Sequence, residues 1–208
     1  MYTKTAIIAA LASFAAAAPA PAVTHQPTGP IPNPNRFIGT ANHNQSPIHN
    51  HEVTASGRNF YINKASGTFC PSPPIDCSNY ENTTTVLDYN NTTQTLSMSA
   101  ALPSGQQAFV RTDGSLGFTG PHSVSVDKGA VFGPFQYTQQ TEGGTVGKLT
   151  FEERGFNACK IGHKNYAGED IYQVYALSIA SKAQYGRECI DFAMNTAIWT
   201  GKNPYEYA

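Results

Sequence analysis

Charge is what this chain has least of. Acidic and basic residues make up 13% of its 208 residues, about half the share usual in a soluble domain. Thirteen Lys and Arg stand against 14 Asp and Glu. Neither sign clusters, so the basic stripe that nucleic-acid phosphates require is missing and no nucleic-acid partner is expected. Helical periodicity is equally scarce; only Tyr175–Ala183 has the spacing for a turn or two of helix. After the first twenty residues no apolar run is long enough for a membrane-spanning helix. The ending Gly201–Ala208 lacks the hydrophobic tail of a lipid-anchor signal. Local catalytic signatures are missing too: there is no G-x-S-x-G elbow and no H-E-x-x-H helix.

What is present begins at the N-terminus. Lys4 opens a short basic start, Ile7 to Ala15 form an apolar run, and Ala16–Ala18 supply small-residue cleavage sites. That order predicts a secretory signal peptide over residues 1–18, cut near Ala17 or Ala18. Residues 19–36 follow as a proline-rich leader, with Pro19, Pro21, Pro27, Pro30, Pro32 and Pro34 leaving little to enter a core. A single domain is expected over residues 37–208, secreted and free of any membrane partner once the signal is removed.

Export makes the four cysteines, Cys70, Cys77, Cys159 and Cys189, candidates for two disulfides. Neither near pair has the C-x₂₋₄-C spacing common in thiolate zinc sites. Cys70 and Cys77 flank the proline-rich turn Pro71–Asp76, which brings them into bridging range and leaves Cys159 to join Cys189.

The rest reads as strands. Asn59–Asn63, Leu96–Ala100, Gln107–Arg111, Ser115–Phe118, Ser123–Val126, Val131–Thr138, Lys148–Phe151, Ile171–Ala176 and Ile190–Met194 alternate or run apolar between turn residues. Asp113-Gly114 between two such runs predicts a hairpin. The expected fold is therefore all-β: a single antiparallel sandwich or barrel stapled by disulfides. A Gly-x-Leu-x-Phe echo at Gly114–Phe118 and Gly147–Phe151 keeps a trefoil-like barrel as the alternative.

Candidate sites are few. Asn44, Asn82, Asn90 and Asn91 head N-x-[ST] sequons, and crowding argues against glycans on both Asn90 and Asn91. His43, His49 and His51 are the one suggestive metal cluster; His49 and His51 on a strand would share a face. A zinc or copper site still needs further ligands, so no metal and no cofactor are expected. Glu152 and Glu153 on one strand would face opposite sides and could not act as a glycosidase pair; Asp191 suits hydrogen bonding better than acid catalysis. No catalytic residue is assigned, and a hydrolase is the least favoured reading. Trp199, Tyr205 and Tyr207 sit in a polar C-terminal stretch; packing over the end of the sheet is the favoured reading, and exposed rings that stack on a sugar face are the alternative.

Several phrases occur in order along the domain: Ser46-Pro-Ile-His49, Ala55-Ser-Gly57, Phe60-Tyr-Ile62, Cys70-Pro-Ser-Pro-Pro74, Leu96-Ser-Met98 and Gly105-Gln-Gln107. Asp113–Thr119, Ala158-Cys159, Tyr172-Gln-Val-Tyr175, Cys189-Ile-Asp-Phe192 and the terminal Tyr-Ala complete the set. Together they resemble the PhiA-type secreted fungal cell wall proteins and their relatives named IgE-binding proteins. The resemblance implies a wall-associated glycoprotein linked to formation of spore-bearing cells, and an allergen in some members. It implies no catalytic mechanism. Its expected partners are wall polysaccharide or wall proteins; a carbohydrate-binding module or a diffusible effector are the alternatives.

Overall fold

The computed structural model describes residues 33–102, 105–141, 146–179 and 188–208. The expected signal peptide and most of the leader lie outside these residues. The strands are β1 (Arg36–Asn42), β2 (Val53–Ser56), β3 (Asn59–Ile62), β4 (Thr68–Phe69), β5 (Leu87–Asn90), β6 (Thr95–Met98) and β7 (Ala108–Val110). They continue as β8 (Leu116–Phe118), β9 (Phe135–Thr138), β10 (Gly147–Phe151), β11 (Phe156–Lys164), β12 (Asp170–Ala176), β13 (Cys189–Ile198) and β14 (Glu206–Tyr207). The one helical element among the described residues is a 3₁₀ turn at Cys77–Asn79.

Two antiparallel sheets share β13. Its C-terminal half lies between β1 and β10 in the first sheet, ordered β6-β5-β1-β13-β10-β9. Its N-terminal end pairs with β11, which opens the second sheet, β11-β12-β3-β8-β7, with β2 also on β3. The free edges of the sheets meet at one isolated bridge, Ser97 to Gln107. A single bridge is not a ladder, so the fold is a sandwich and not a closed barrel. The trefoil-like alternative fails with it. The shared phrase falls each time on the second strand of a consecutive antiparallel pair, β8 after β7 and β10 after β9, and a two-strand pair is too little to define a repeated unit.

Alternation explains which side chains fill the space between the sheets. In β1, Phe37, Gly39 and Ala41 point inward and their neighbours outward, the period-two pattern of a half-buried strand. The centre is aromatic: Phe37, Phe60, Phe118, Phe135, Phe151 and Phe156 are all fully buried. Pairs meet edge to face, as Phe135 and Phe151 do at 5.1 Å and 66°, the geometry that ring quadrupoles favour. Burying a Phe contributes roughly 1.5–3 kcal/mol, so these rings outweigh the scattered surface charge pairs, each worth about 0–1 kcal/mol.

Turn chemistry agrees in detail. Asp113 Oδ1 accepts from the Ser115 N–H (2.9 Å) and hydroxyl (2.7 Å), and Gly114 takes φ +84°. Gly57 and Arg58, at φ +55° and +62°, make the two-residue link from β2 to β3, as type I′ hairpins require. Both disulfides form as the sequence predicts: Cys70–Cys77 and Cys159–Cys189. The second joins residues directly opposite in β11 and β13.

Four expectations are corrected. Ser123–Val126 alternates but is not a strand; Val124 is 87% exposed and the segment pairs with no strand. Val131–Thr138 shortens to Phe135–Thr138, with Val131 making one bridge to Val110. The expected helix over Tyr175–Ala183 starts instead as the end of β12, with a turn over 177–179; residues 180–183 lie outside the described residues. Glu152 and Glu153 occupy the turn between β10 and β11, both in the left-handed region at φ +48° and +60°, so they are not strand residues.

Candidate functional site

The C-terminal strand decides where the predicted aromatic surface goes. β14 pairs with β4, and the Ala208 carbonyl accepts the Gly57 N–H at 2.8 Å while its own N–H reaches the Gly67 carbonyl at 2.9 Å. A side chain at Gly67 would start 3.0 Å from the Ala208 carbonyl oxygen, which is why a glycine suits this crossing. This lock drives Tyr207 inward. It is 0% exposed and packs edge to face on Phe118. Its hydroxyl accepts from the Val86 N–H at 2.7 Å and donates to the Val86 carbonyl at 3.3 Å. Burial pushes its phenol well above the ordinary tyrosine value, so it is a neutral group of the core. Tyr207 therefore packs over the end of the sheet and is no part of a sugar platform.

Trp199 is half-buried; its indole N–H donates to the Lys202 carbonyl at 3.0 Å, and its ring lies against Gly201. It braces the chain's last turn. Lys202 Nζ in turn donates to the Ser78 carbonyl at 3.0 Å, tying this segment to the Cys70–Cys77 loop.

Tyr205 alone of the three faces a cleft, and residues remote in sequence complete it. The cleft, of about 280 Å³, is lined by Phe69, Tyr80 and Tyr205 with Glu81, Asn82 and the Cys70–Cys77 bridge. Tyr80 and Tyr205 meet edge to face at 5.1 Å and 86°; Phe69, at the end of β4, is 52% exposed. Glu81 Oε1 accepts from the Thr83 hydroxyl (2.6 Å) and the N–H groups of Thr83 (2.7 Å) and Asn82 (2.9 Å). The Thr83 hydroxyl foremost holds its carboxyl below the ordinary glutamate range, so it stays an acceptor. Asp76 Oδ1 caps the 3₁₀ turn by accepting from Ser78. Apolar rings beside a fixed carboxylate and an amide suit a sugar, whose C–H faces stack while its hydroxyls hydrogen-bond.

A second concave region lies where the β11–β12 loop rises beside the segment after β3. One depression, of about 370 Å³, is lined by His51, Glu52, Thr54, Asn63, Asn165 and Glu169 among others. Two carboxylates thus share one concavity, an arrangement the sequence did not reveal. Each is engaged: Glu52 Oε1 accepts from the Thr85 N–H at 3.0 Å, and Glu169 Oε2 accepts from Asn165 Nδ2 at 2.8 Å. Burial raises the Glu52 carboxyl above its ordinary value, partly offset by the Thr85 hydrogen bond.

The histidines do not converge. Residues 43–50 form turns, not a strand, so His49 and His51 do not share a strand face. His43 meets the Asp191 backbone carbonyl and His51 meets Asn63 Oδ1. Among the described residues, no three or more His, Cys, Asp and Glu side chains gather as a metal would require. All four sequon asparagines are exposed; Asn90 Oδ1 accepts from the N–H groups of Thr92 and Thr93 within its own turn.

A disulfide-stapled β-sandwich with tyrosine-rimmed surface clefts defines the class: an extracellular all-β domain. Comparison with known proteins gives the family. A family described as PhiA-like secreted protein matches residues 37–208, and the chain belongs to it. It is also similar to an "Uncharacterized secreted protein" of Arthroderma benhamiae (strain ATCC MYA-4681 / CBS 112371), 29% identical over 157 residues, 73% of this chain and 74% of that protein. No solved structure matches the chain. The protein is accordingly a secreted fungal protein.

Proposed function

We propose that this protein is a non-catalytic, wall-associated component of the fungal surface, held there by contact with wall polysaccharide. The observation that carries the reading is the cleft of Phe69, Tyr80 and Tyr205. It is fixed by a disulfide on one side and the locked C-terminus on the other, with Glu81 already held as an acceptor. Preorganised rings and acceptors lower the ordering cost of binding, and nothing in such a site requires turnover. Glu52 and Glu169 are read as binding and structural groups, one bracing Thr85 and the other the β11–β12 loop. Glycans on Asn44 or in the β5–β6 turn, outside the lining of that cleft, fit an extracellular surface protein, and antigenicity of the allergen kind would follow from a rigid, exposed fold.

The test is fractionation of washed walls from a strain carrying a tagged copy. A wall-bound pool that survives low-salt washing is expected. Protein confined to the medium at every growth stage would refute the reading and favour a diffusible effector. Purified protein should release no reducing sugar from wall polysaccharides; release abolished by Glu52→Gln would overturn the non-catalytic assignment.

A further inference from the structure

The most exposed large hydrophobic side chain among the described residues is unexplained by the cleft above. Tyr166 is fully exposed at the tip of the loop between β11 and β12. An exposed tyrosine on a loose loop would mean little, but this loop is tightly bonded. Asn165 Oδ1 accepts from the N–H groups of Ala167 and Glu169, both at 3.0 Å, and its Nδ2 donates to Glu169 at 2.8 Å. The Asn165 N–H reaches the Glu169 carbonyl at 2.9 Å, Lys164 Nζ reaches the Gly168 carbonyl at 2.9 Å, and Gly168 takes φ +83°, which closes the turn. Below the loop, Asp170 bridges Lys160 and Lys164. The backbone that carries the ring is thus fixed, so little loop freedom remains to be lost on binding.

Depressions lie on both sides of it. The 370 Å³ depression with Glu52, Thr54 and Asn63 shares Lys64, Ala65, Asn165 and Tyr166 with a neighbour of about 530 Å³ that adds Ser56, Ser66, Lys164 and Ile171. Tyr166 therefore stands on the boundary of two adjoining subsites. Each offers hydroxyl, amide or charged groups suited to sugar hydroxyls. Lys64 lies over the Tyr61 ring at 4.1 Å, and across the two depressions Lys64 and Lys164 stand against Glu52 and Glu169, so no net charge selects an acidic ligand.

We infer that Tyr166 and its two flanking depressions form a second polysaccharide-binding site, taking a neutral chain of hexose or N-acetylhexosamine units across the tyrosine ring. With the Phe69–Tyr80–Tyr205 cleft, this would give one domain two sugar contacts and allow it to bridge neighbouring wall chains. The choice of ligand rests on the wall-association reading; the site itself does not.

The experiment is depletion of full-length secreted protein by insoluble β-glucan, by chitin, and by fungal walls stripped of protein with protease. Wild type, Tyr166→Ala, Tyr166→Phe and Phe69→Ala are compared after their thermal midpoints are matched. Tyr166→Ala should weaken binding to one of the two purified polysaccharides about tenfold, the equivalent of about 1.4 kcal/mol. Tyr166→Phe should stay within about twofold of wild type, because the stacking face is retained. The polysaccharide that shows the loss identifies the sugar. Binding of Tyr166→Ala equal to wild type on all three matrices overturns the second site, whether or not Phe69→Ala is impaired. If wild type binds intact walls but no stripped wall or purified polysaccharide, the site's ligand is not sugar. The inference then fails while wall association stands.

Discussion

Removing one oxygen from Tyr207 should cost the fold more than it costs any ligand. The hydroxyl is the acceptor for the Val86 N–H at 2.7 Å, and Val86 is 0% exposed. The Val86 carbonyl has a second donor, the Ser99 N–H at 2.8 Å, and so keeps a partner when the hydroxyl goes. The N–H does not. Tyr207→Phe preserves the ring against Phe118 and strands one buried donor, a loss of about 1–3 kcal/mol. For a domain of this size that corresponds to a fall of about 2–12 °C in thermal midpoint. Tyr207→Ala also removes the ring from the core and should cost about 3–5 kcal/mol. Chemical denaturation of wild type and both variants, at unchanged slope, gives the comparison. If Tyr207→Phe unfolds with wild type while losing sugar binding, the buried assignment is wrong and Tyr207 belongs to a surface platform after all.

Breaking Cys159–Cys189, which spans 30 residues, should cost about 3–4 kcal/mol, and breaking Cys70–Cys77, which spans 7, about 2–3 kcal/mol; equal losses from the two double-alanine variants would speak against a loop-length origin. Glu52→Gln should be more stable than wild type at neutral pH, because it keeps the acceptor for Thr85 without a desolvated charge. Its sign follows from the raised carboxyl: wild type loses stability as pH rises through the Glu52 titration, so the two melting curves should converge below the ordinary value of 4.5. A gap that persists in acid would contradict this. Peptide mapping after deglycosylation should place the glycan of the β5–β6 turn on Asn91 and leave Asn90, whose amide oxygen caps the turn; doubly modified peptide would contradict it.

Much of the sandwich was legible because period-two patterning is local. Asp113-Gly114 and the alternation through Leu96 and Met98 each specify their neighbourhood without help from the rest of the chain. The Cys70–Cys77 turn was legible for the same reason, since prolines lie between the two cysteines. Where the reading failed, the deciding partner was distant. Ser123–Val126 alternates as well as any strand, but alternation alone does not supply a pairing partner, and the segment makes no strand pair. For Tyr207 the sequence favoured packing but gave no partner; pairing of β14 with β4, more than a hundred residues away, supplies it. The same long-range assembly made the first cleft, bringing Phe69 and Tyr80 to Tyr205. No spacing rule joins Glu52 to Glu169 or marks Tyr166. The Lys164–Asp170 sequence carries a turn signal in Asn165 and Gly168 that could have identified a rigid, ring-bearing loop.

Wall retention through sugar contact is tested most directly by competitive release. Washed walls from the tagged strain are incubated with soluble β-glucan and chitin oligosaccharides, and in parallel with a thiol reductant alone. The account predicts release of intact protein by an oligosaccharide, with Tyr166→Ala released at lower competitor concentration than wild type. Protein that resists every oligosaccharide and leaves the wall only on reduction would contradict it, because the attachment would then be a disulfide.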